Sequence, residues 1–165
     1  MSNATPAEIA KKTLEDLNIP FQEFSHPAVF TCEEANRHCP PMPGAKAKNL
    51  FLKDSKEKQY YLVCLAEKQK ISLKELSQLI GVKGLSFASE RRLKEVLGVE
   101  PGSVGILALI NDTGKKTHVL IDKELMNDQW FRSHPLVNTA TICLKTSELE
   151  RFLKHTGHSS EFINL

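Results

Sequence analysis

Apolar and polar positions along this chain fall into two rhythms, one helical and one extended. Four stretches open on a Ser or Thr followed three residues later by Glu: Thr5 with Glu8, Thr31 with Glu34, Ser72 with Glu75 and Ser147 with Glu150. In that arrangement the hydroxyl accepts from a backbone N–H and the carboxylate reciprocates, so each pair predicts a helix start. Pro6 stands at the first helical position after Thr5, and Ile9, Leu14 and Leu17 supply the buried face of that helix. Ser89 predicts a further start, and Gly81, Gly98 and Gly157 stand where the helices begun near Ser72, Ser89 and Ser147 should stop.

Between these lie β-branched and aromatic runs that predict strands over 21–25, 49–53, 60–65, 105–110, 118–121 and 139–144. Residues 54–58 read as a polar hairpin and 111–114 as a turn. Helices and strands do not alternate regularly, so the order predicts an α+β or mixed α/β fold.

One strand carries unusual polar company. In Lys48-Asn49-Leu50-Phe51-Leu52-Lys53 an ammonium and an amide stand at the entrance of a buried run. A lysine at a strand end ordinarily extends into solvent, so the pattern alone favours an inert Lys48. Strand alternation also places Lys48 and Asn49 on opposite faces, so only one side chain can point straight into a shared pocket. Upstream, Pro40-Pro41-Met42-Pro43-Gly44 can neither continue a helix nor form an interior strand. It predicts a stiff loop that could wall a pocket beside Lys48.

With 165 residues, 41% hydrophobic and 25% charged, the chain is expected to form one domain over 1–165. Its net charge of +2 is too small for a broadly basic nucleic-acid binder, so any grip on nucleic acid must be local. The polar N-terminus lacks the apolar core of a signal peptide, and no apolar run is long enough to span a bilayer, which predicts a soluble cytoplasmic protein with no membrane partner. Cys32, Cys39, Cys64 and Cys143 are scattered and are expected to be reduced. No CxxC or HxxxH spacing joins them to His26 or His38, so no metal is expected. Gly81-Val82-Lys83-Gly84 lacks the spacing of a phosphate loop, so no nucleotide cofactor is expected either.

Read in order, His26-Pro27-Ala28-Val29-Phe30-Thr31, the segment from Lys48 to Asp54, Ser86-Phe87-Ala88-Ser89, Val99-Glu100-Pro101-Gly102-Ser103-Val104, Asn111-Asp112 and the block from His134 to Thr141 closely resemble the YbaK/ProX family of aminoacyl-tRNA editing domains. Within that family the blocks look most like those of the free-standing Ala-tRNA(Pro) deacylases. The resemblance implies a curved mixed β-sheet surrounded by helices. It implies a trans-editing hydrolase that clears alanine from tRNA(Pro) by water attack on the aminoacyl ester, without a cofactor. Its partners would be the tRNA(Pro) acceptor end and, transiently, prolyl-tRNA synthetase. A sibling acting on Cys-tRNA(Pro) or Ser-tRNA, and a non-catalytic module that binds tRNA or a synthetase, remain open alternatives.

By the same resemblance Lys48 occupies the position of the family's essential lysine, where a fixed ammonium could neutralise a phosphate or the developing oxyanion. Asn49 and His134 complete the implied catalytic set; strand alternation lets Lys48 claim the pocket by its side chain and leaves Asn49 two routes, its amide or its backbone N–H. Val29, Phe30, Thr31 and Leu136 are candidate walls, and Ser86, Gly102, Ser103, Val104 and Asn138 are further candidate substrate contacts. Phe87 is expected in the core, a platform for the terminal adenine being the alternative. Lys83, Arg91, Arg92 and Lys94 form the densest basic cluster and are candidate tRNA contacts, a solvated helix face being the alternative. Gly105-Ile106 stands where family members commonly carry a Thr-Pro-like pair, and loss of that proline is expected to loosen the loop.

Overall fold

A computed structural model describes residues 4–29 and 31–165 of the chain. Five α-helices are described: α1 (Pro6–Asp16), α2 (Cys32–His38), α3 (Leu73–Ile80), α4 (Glu90–Leu97) and α5 (Leu149–Thr156). Among the described residues eight strands form two sheets. β1 (Phe21–Ser25), β7 (Ala140–Lys145) and β6 (Trp130–Ser133) make an antiparallel sheet in the order β1-β7-β6. β2 (Ala47–Lys53), β3 (Tyr60–Ala66), β4 (Ser86–Phe87), β5 (Thr117–Asp122) and β8 (Ser160–Ile163) make a mixed sheet in the order β4-β2-β3-β5-β8. The mixed α/β class expected from the sequence is therefore present, with its strands divided between two sheets.

β3 explains how the core is organised. All seven of its residues are buried, and the two-residue period sends them to opposite faces. Leu62 and Cys64 join Phe51, Phe131, Ile142, Leu97 and Phe152 in a cluster that ties both sheets to α4 and α5. Val63 and Leu65 join Leu52, Leu76, Leu120 and Ile163 on the other face, under α3. Each fully buried leucine in these layers contributes about 1.5–3 kcal/mol relative to an exposed one.

The helix starts at Thr5, Thr31, Ser72 and Ser89 hold, each hydroxyl accepting from the backbone N–H three residues on. Ser147 does not cap a helix. A 3₁₀ turn over Thr146–Glu148 runs straight into α5, which leaves Ser147 inside the turn and Glu148 at the N-cap with no side-chain cap. The strand expected over 105–110 is a 3₁₀ helix, Ile106–Asn111, with Ile106 to Leu109 all buried. A short, wholly apolar run has no period with which to choose between strand and buried helix. Phe87 is not in the core: it is 60% exposed, because β4 is a two-residue edge strand paired only to Leu52 and Lys53 of β2. Among the described residues no helix is long and apolar enough to cross a membrane.

Candidate active site

A cavity of about 610 Å³ opens where the start of β2 approaches the end of β6. It is bordered by Lys46, Lys48 and Asn49 from one side and by Arg132, Ser133, His134 and Thr141 from the other. Pro40, Pro41 and Met42 form a third wall, as the proline run predicted. Gly102 and Val104 contribute from the loop before the 3₁₀ helix.

The proline loop is held by Arg132. Its Nε donates to Pro43 O at 3.2 Å and its Nη2 to Met42 O at 2.6 Å, while Cys143 Sγ donates to Pro43 O at 3.4 Å. Gly44 lets the loop turn away: its φ is +103°, and a Cβ there would lie 3.0 Å from Trp130 O. Arg132 was not anticipated from the sequence. The available signal was its position two residues before His134 in an extended run, which puts both on one face.

His134 is the best-defined group of the cavity. Its Nδ1 lies 3.1 Å from Ala140 O, and a carbonyl only accepts, so the neutral ring carries its proton on Nδ1 and a lone pair on Nε2. Burial pushes the imidazole pKa below 6.5, and neighbouring His26, 6.4 Å away between ring centroids, lowers it further against the raising effect of the Ala140 hydrogen bond. The ring is thereby neutral at pH 7, with Nε2 unpartnered among the described residues.

Lys48 and Asn49 both border the cavity, but the strand register separates them. Asn49 shares its face with Ala47 and Phe51, which pack on the cluster joining the two sheets. Lys48 lies on the face of Leu50 and Leu52, and its Nζ donates to the backbone carbonyl of Gln69, just beyond β3. Of the two routes open to Asn49, its face in β2 favours the side-chain amide. Asn49 has its side chain toward the three-stranded sheet, whereas the Lys48 ammonium is tethered beside the opening.

The other candidates divide cleanly. Val29, Thr31, Gly102 and Val104 border the cavity. Phe30 lies outside the described residues. Asn138 supports the wall from behind, its Nδ2 donating to Val29 O at 3.2 Å. Leu136 is buried in the main core at a positive φ of 66°, and Ser103 is buried in a turn closed by its N–H on Glu100 O. Ser86 pairs with Lys53, at the far end of β2 from Lys48. Leu136, Ser103 and Ser86 do not border the cavity, nor do Lys83, Arg91, Arg92 and Lys94. Arg91 pairs with Glu95, Arg92 with Glu57 and Glu95, and Lys94 with Glu100. Lys83 is exposed and has no ionic partner among the described residues.

Gly105 does not loosen its loop. Its backbone is extended, and a Cβ there would fall 2.7 Å from Ser133 Oγ and 3.2 Å from His134 N. Ser133 Oγ in turn accepts from Leu107 N at 3.3 Å and donates to His134 O at 3.3 Å. The missing side chain lets the 3₁₀ helix close directly onto the segment that carries His134.

Cys39 also borders the cavity, and burial raises its thiol pKa, against a lowering by Arg132, which makes it a poor nucleophile. Buried Cys64 and Cys143 are held protonated, pushed up to about 12 and about 11. The chemistry this arrangement supports is activation of water by a neutral imidazole among cations, with no covalent nucleophile required.

Comparison with known proteins shows the family of the chain. Residues 26–152 match the family described as the aminoacyl-tRNA editing domain. The chain is 37% identical over 163 residues to the prolyl-tRNA editing protein ProX of Acetoanaerobium sticklandii, covering 99% of this chain and 98% of that one. It is 38% identical over 159 residues to the prolyl-tRNA synthetase associated domain-containing protein 1 of Danio rerio, covering 93% and 86%. Among solved structures, a proposed trans-editing enzyme for prolyl tRNA synthetase superposes with a TM-score of 0.69 at 20% identity, over 98% of each chain, a likeness of fold.

Proposed function

We propose that this chain, which belongs to the aminoacyl-tRNA editing domain family, is a free-standing, single-domain trans-editing hydrolase that removes alanine mischarged on tRNA(Pro). The observation that carries the reading is the neutral His134, its Nε2 lone pair free, in the wall of a cavity that Lys46, Lys48 and Arg132 also border.

In this mechanism the terminal adenosine and its ester enter the cavity. His134 Nε2 takes a proton from the attacking water, and Asn49 orients the water or the carbonyl. The cations favour the oxyanion that develops on that carbonyl, a type of stabilisation commonly worth about 10²–10³ in rate. Collapse breaks the ester, and the ribose oxygen leaves with the proton that the imidazolium returns. The Arg132-anchored proline loop limits the room for the amino-acid side chain, which favours alanine over the larger proline ring. Exposed Lys83, between α3 and β4, is suited to the acceptor-stem phosphates.

A panel of charged tRNAs tests this: Ala-tRNA(Pro), Cys-tRNA(Pro), Pro-tRNA(Pro) and a Ser-tRNA. Rapid release of alanine alone is expected. Turnover of cysteine or serine with alanine spared assigns a sibling substrate, and inertness toward all four leaves a binding module in place of an enzyme.

A further inference from the structure

Hydrogen-bond polarity in the cavity wall reaches beyond His134. His26 is buried, with Nδ1 2.9 Å from Pro27 O and Nε2 2.8 Å from the hydroxyl of Thr141. The Pro27 carbonyl can only accept, so His26 carries a proton on Nδ1, and the uncharged form of the ring holds a lone pair on Nε2. Against that form Thr141 spends its one hydroxyl proton on His26. What remains at its oxygen is lone pairs, and Thr141 borders the cavity.

Two acceptors with fixed polarity, Thr141 Oγ1 and His134 Nε2, thus belong to one wall. Ester hydrolysis on an aminoacyl group brings two donors close to the scissile carbon: the attacking water and the α-amino group. Only the imidazole is basic enough to take a proton from water. The hydroxyl oxygen is left for the amine, which keeps an N–H to donate whether it is charged or neutral.

We infer that Thr141, held as an acceptor by His26, receives the α-amino group of the aminoacyl ester and makes the site read an amino acid in place of a plain acyl group. This rests on the deacylase reading above. Glu67 is the rival receiver, since it is the one carboxylate bordering the cavity among the described residues, but its Oε1 already accepts from Asn36 Nδ2 at 2.9 Å.

The test compares single-turnover hydrolysis of alanyl-tRNA(Pro) with that of propionyl-tRNA(Pro), which has the same ester and carbon count but no amine. Thr141→Val is expected to slow the alanyl substrate about 10–100-fold, the size of a lost hydrogen bond to a charged group, while the propionyl rate stays within about twofold. Thr141→Ser is expected to keep the wild-type ratio. The unchanged propionyl rate reports a folded site. Equal slowing of both substrates by Thr141→Val, or no slowing of either, overturns the assignment. So does loss of the ratio in Glu67→Gln while Thr141→Val retains it. A wild type inert toward both substrates removes the deacylase reading itself, and this assignment with it.

Discussion

His134 gives its Nδ1 proton to the carbonyl of Ala140, 3.1 Å away across the turn from β6 to β7, and this contact leaves Nε2 as the nitrogen that can take a proton. Because burial holds the imidazole below 6.5, it stays neutral through the physiological range. Deacylation is expected to rise with pH through that depressed value and be flat from about 6.5 upward. For stability the sign is the same: below 6.5 the unfolded chain binds the proton more readily. The contribution of His134 is thus present above that value and lost as pH falls through the folded one. A kcat/KM profile checks the rate, and His134→Ala should lower the plateau by about 10²–10⁴. An activity limb lying above 6.5 contradicts the assignment.

Gly105 meets Ser133 so closely that one methyl group is too many. Gly105→Ala should cost about 1–3 kcal/mol, as overpacking of a tight contact does. At about 2–4 °C per kcal/mol for a chain of this size, the loss is readable in a melting curve. Deacylation should fall further than stability accounts for, because the displaced segment carries His134 and a misplacement of about 1 Å can cost about 10²-fold. Wild-type rates in a stable Gly105→Ala variant would show that the contact is slack.

Asp112 and His158 form a buried pair, Oδ2 to Nε2 at 2.9 Å, that pins the start of β8 to the turn before β5. Burial pushes the Asp112 carboxyl up, but hydrogen bonds from His158, Lys116 and Thr117 more than offset this and hold it below 3.8. Its stabilisation is therefore present above 3.8 and lost as pH falls through the lower, folded value. Asp112→Ala should cost about 1–3 kcal/mol in urea unfolding, since it leaves the buried hydrogen-bond partners of the carboxylate unsatisfied, whereas single-turnover rates under folding conditions should hold. A loss under about 1 kcal/mol contradicts this account of the pair.

Lys83 is the member of the basic cluster with no ionic partner among the described residues, while Arg91, Arg92 and Lys94 are engaged by glutamates. Lys83→Ala should weaken tRNA binding and reduce the slope of log K against log salt by about one phosphate contact. Its melting temperature should not move. An unchanged slope in filter binding places the tRNA elsewhere.

Four of the five expected helix starts, most of the strands and the proline wall were legible because each is set by local chemistry: a hydroxyl at an N-cap, a two-residue period, a ring that cannot donate. The 3₁₀ helix at Ile106–Asn111 was not, because an apolar run without period carries no signal of its form. Phe87 was misplaced for a related reason, as edge or interior position in a sheet is decided by which strands pair. Lys48, Asn49 and His134 were visible as a motif and all three border the cavity, but where the two side chains of β2 lead was not visible. Face assignment in β2 and the tether of Lys48 on Gln69 depend on packing between segments distant in sequence. Arg132 and Thr141 escaped for the same reason: their partners, Met42, Pro43 and His26, lie about 90 to 115 residues away.

The central claim is that this cavity hydrolyses an aminoacyl ester, and the measurement closest to it is the single-turnover release of alanine from Ala-tRNA(Pro) by wild type and Lys48→Ala, with tRNA binding followed in parallel. The wild type is expected to release alanine, and Lys48→Ala to lose at least about 10² of that rate while it stays folded and still binds tRNA. A wild type that leaves the ester intact, or a Lys48→Ala variant that cleaves it at the wild-type rate, would contradict the account.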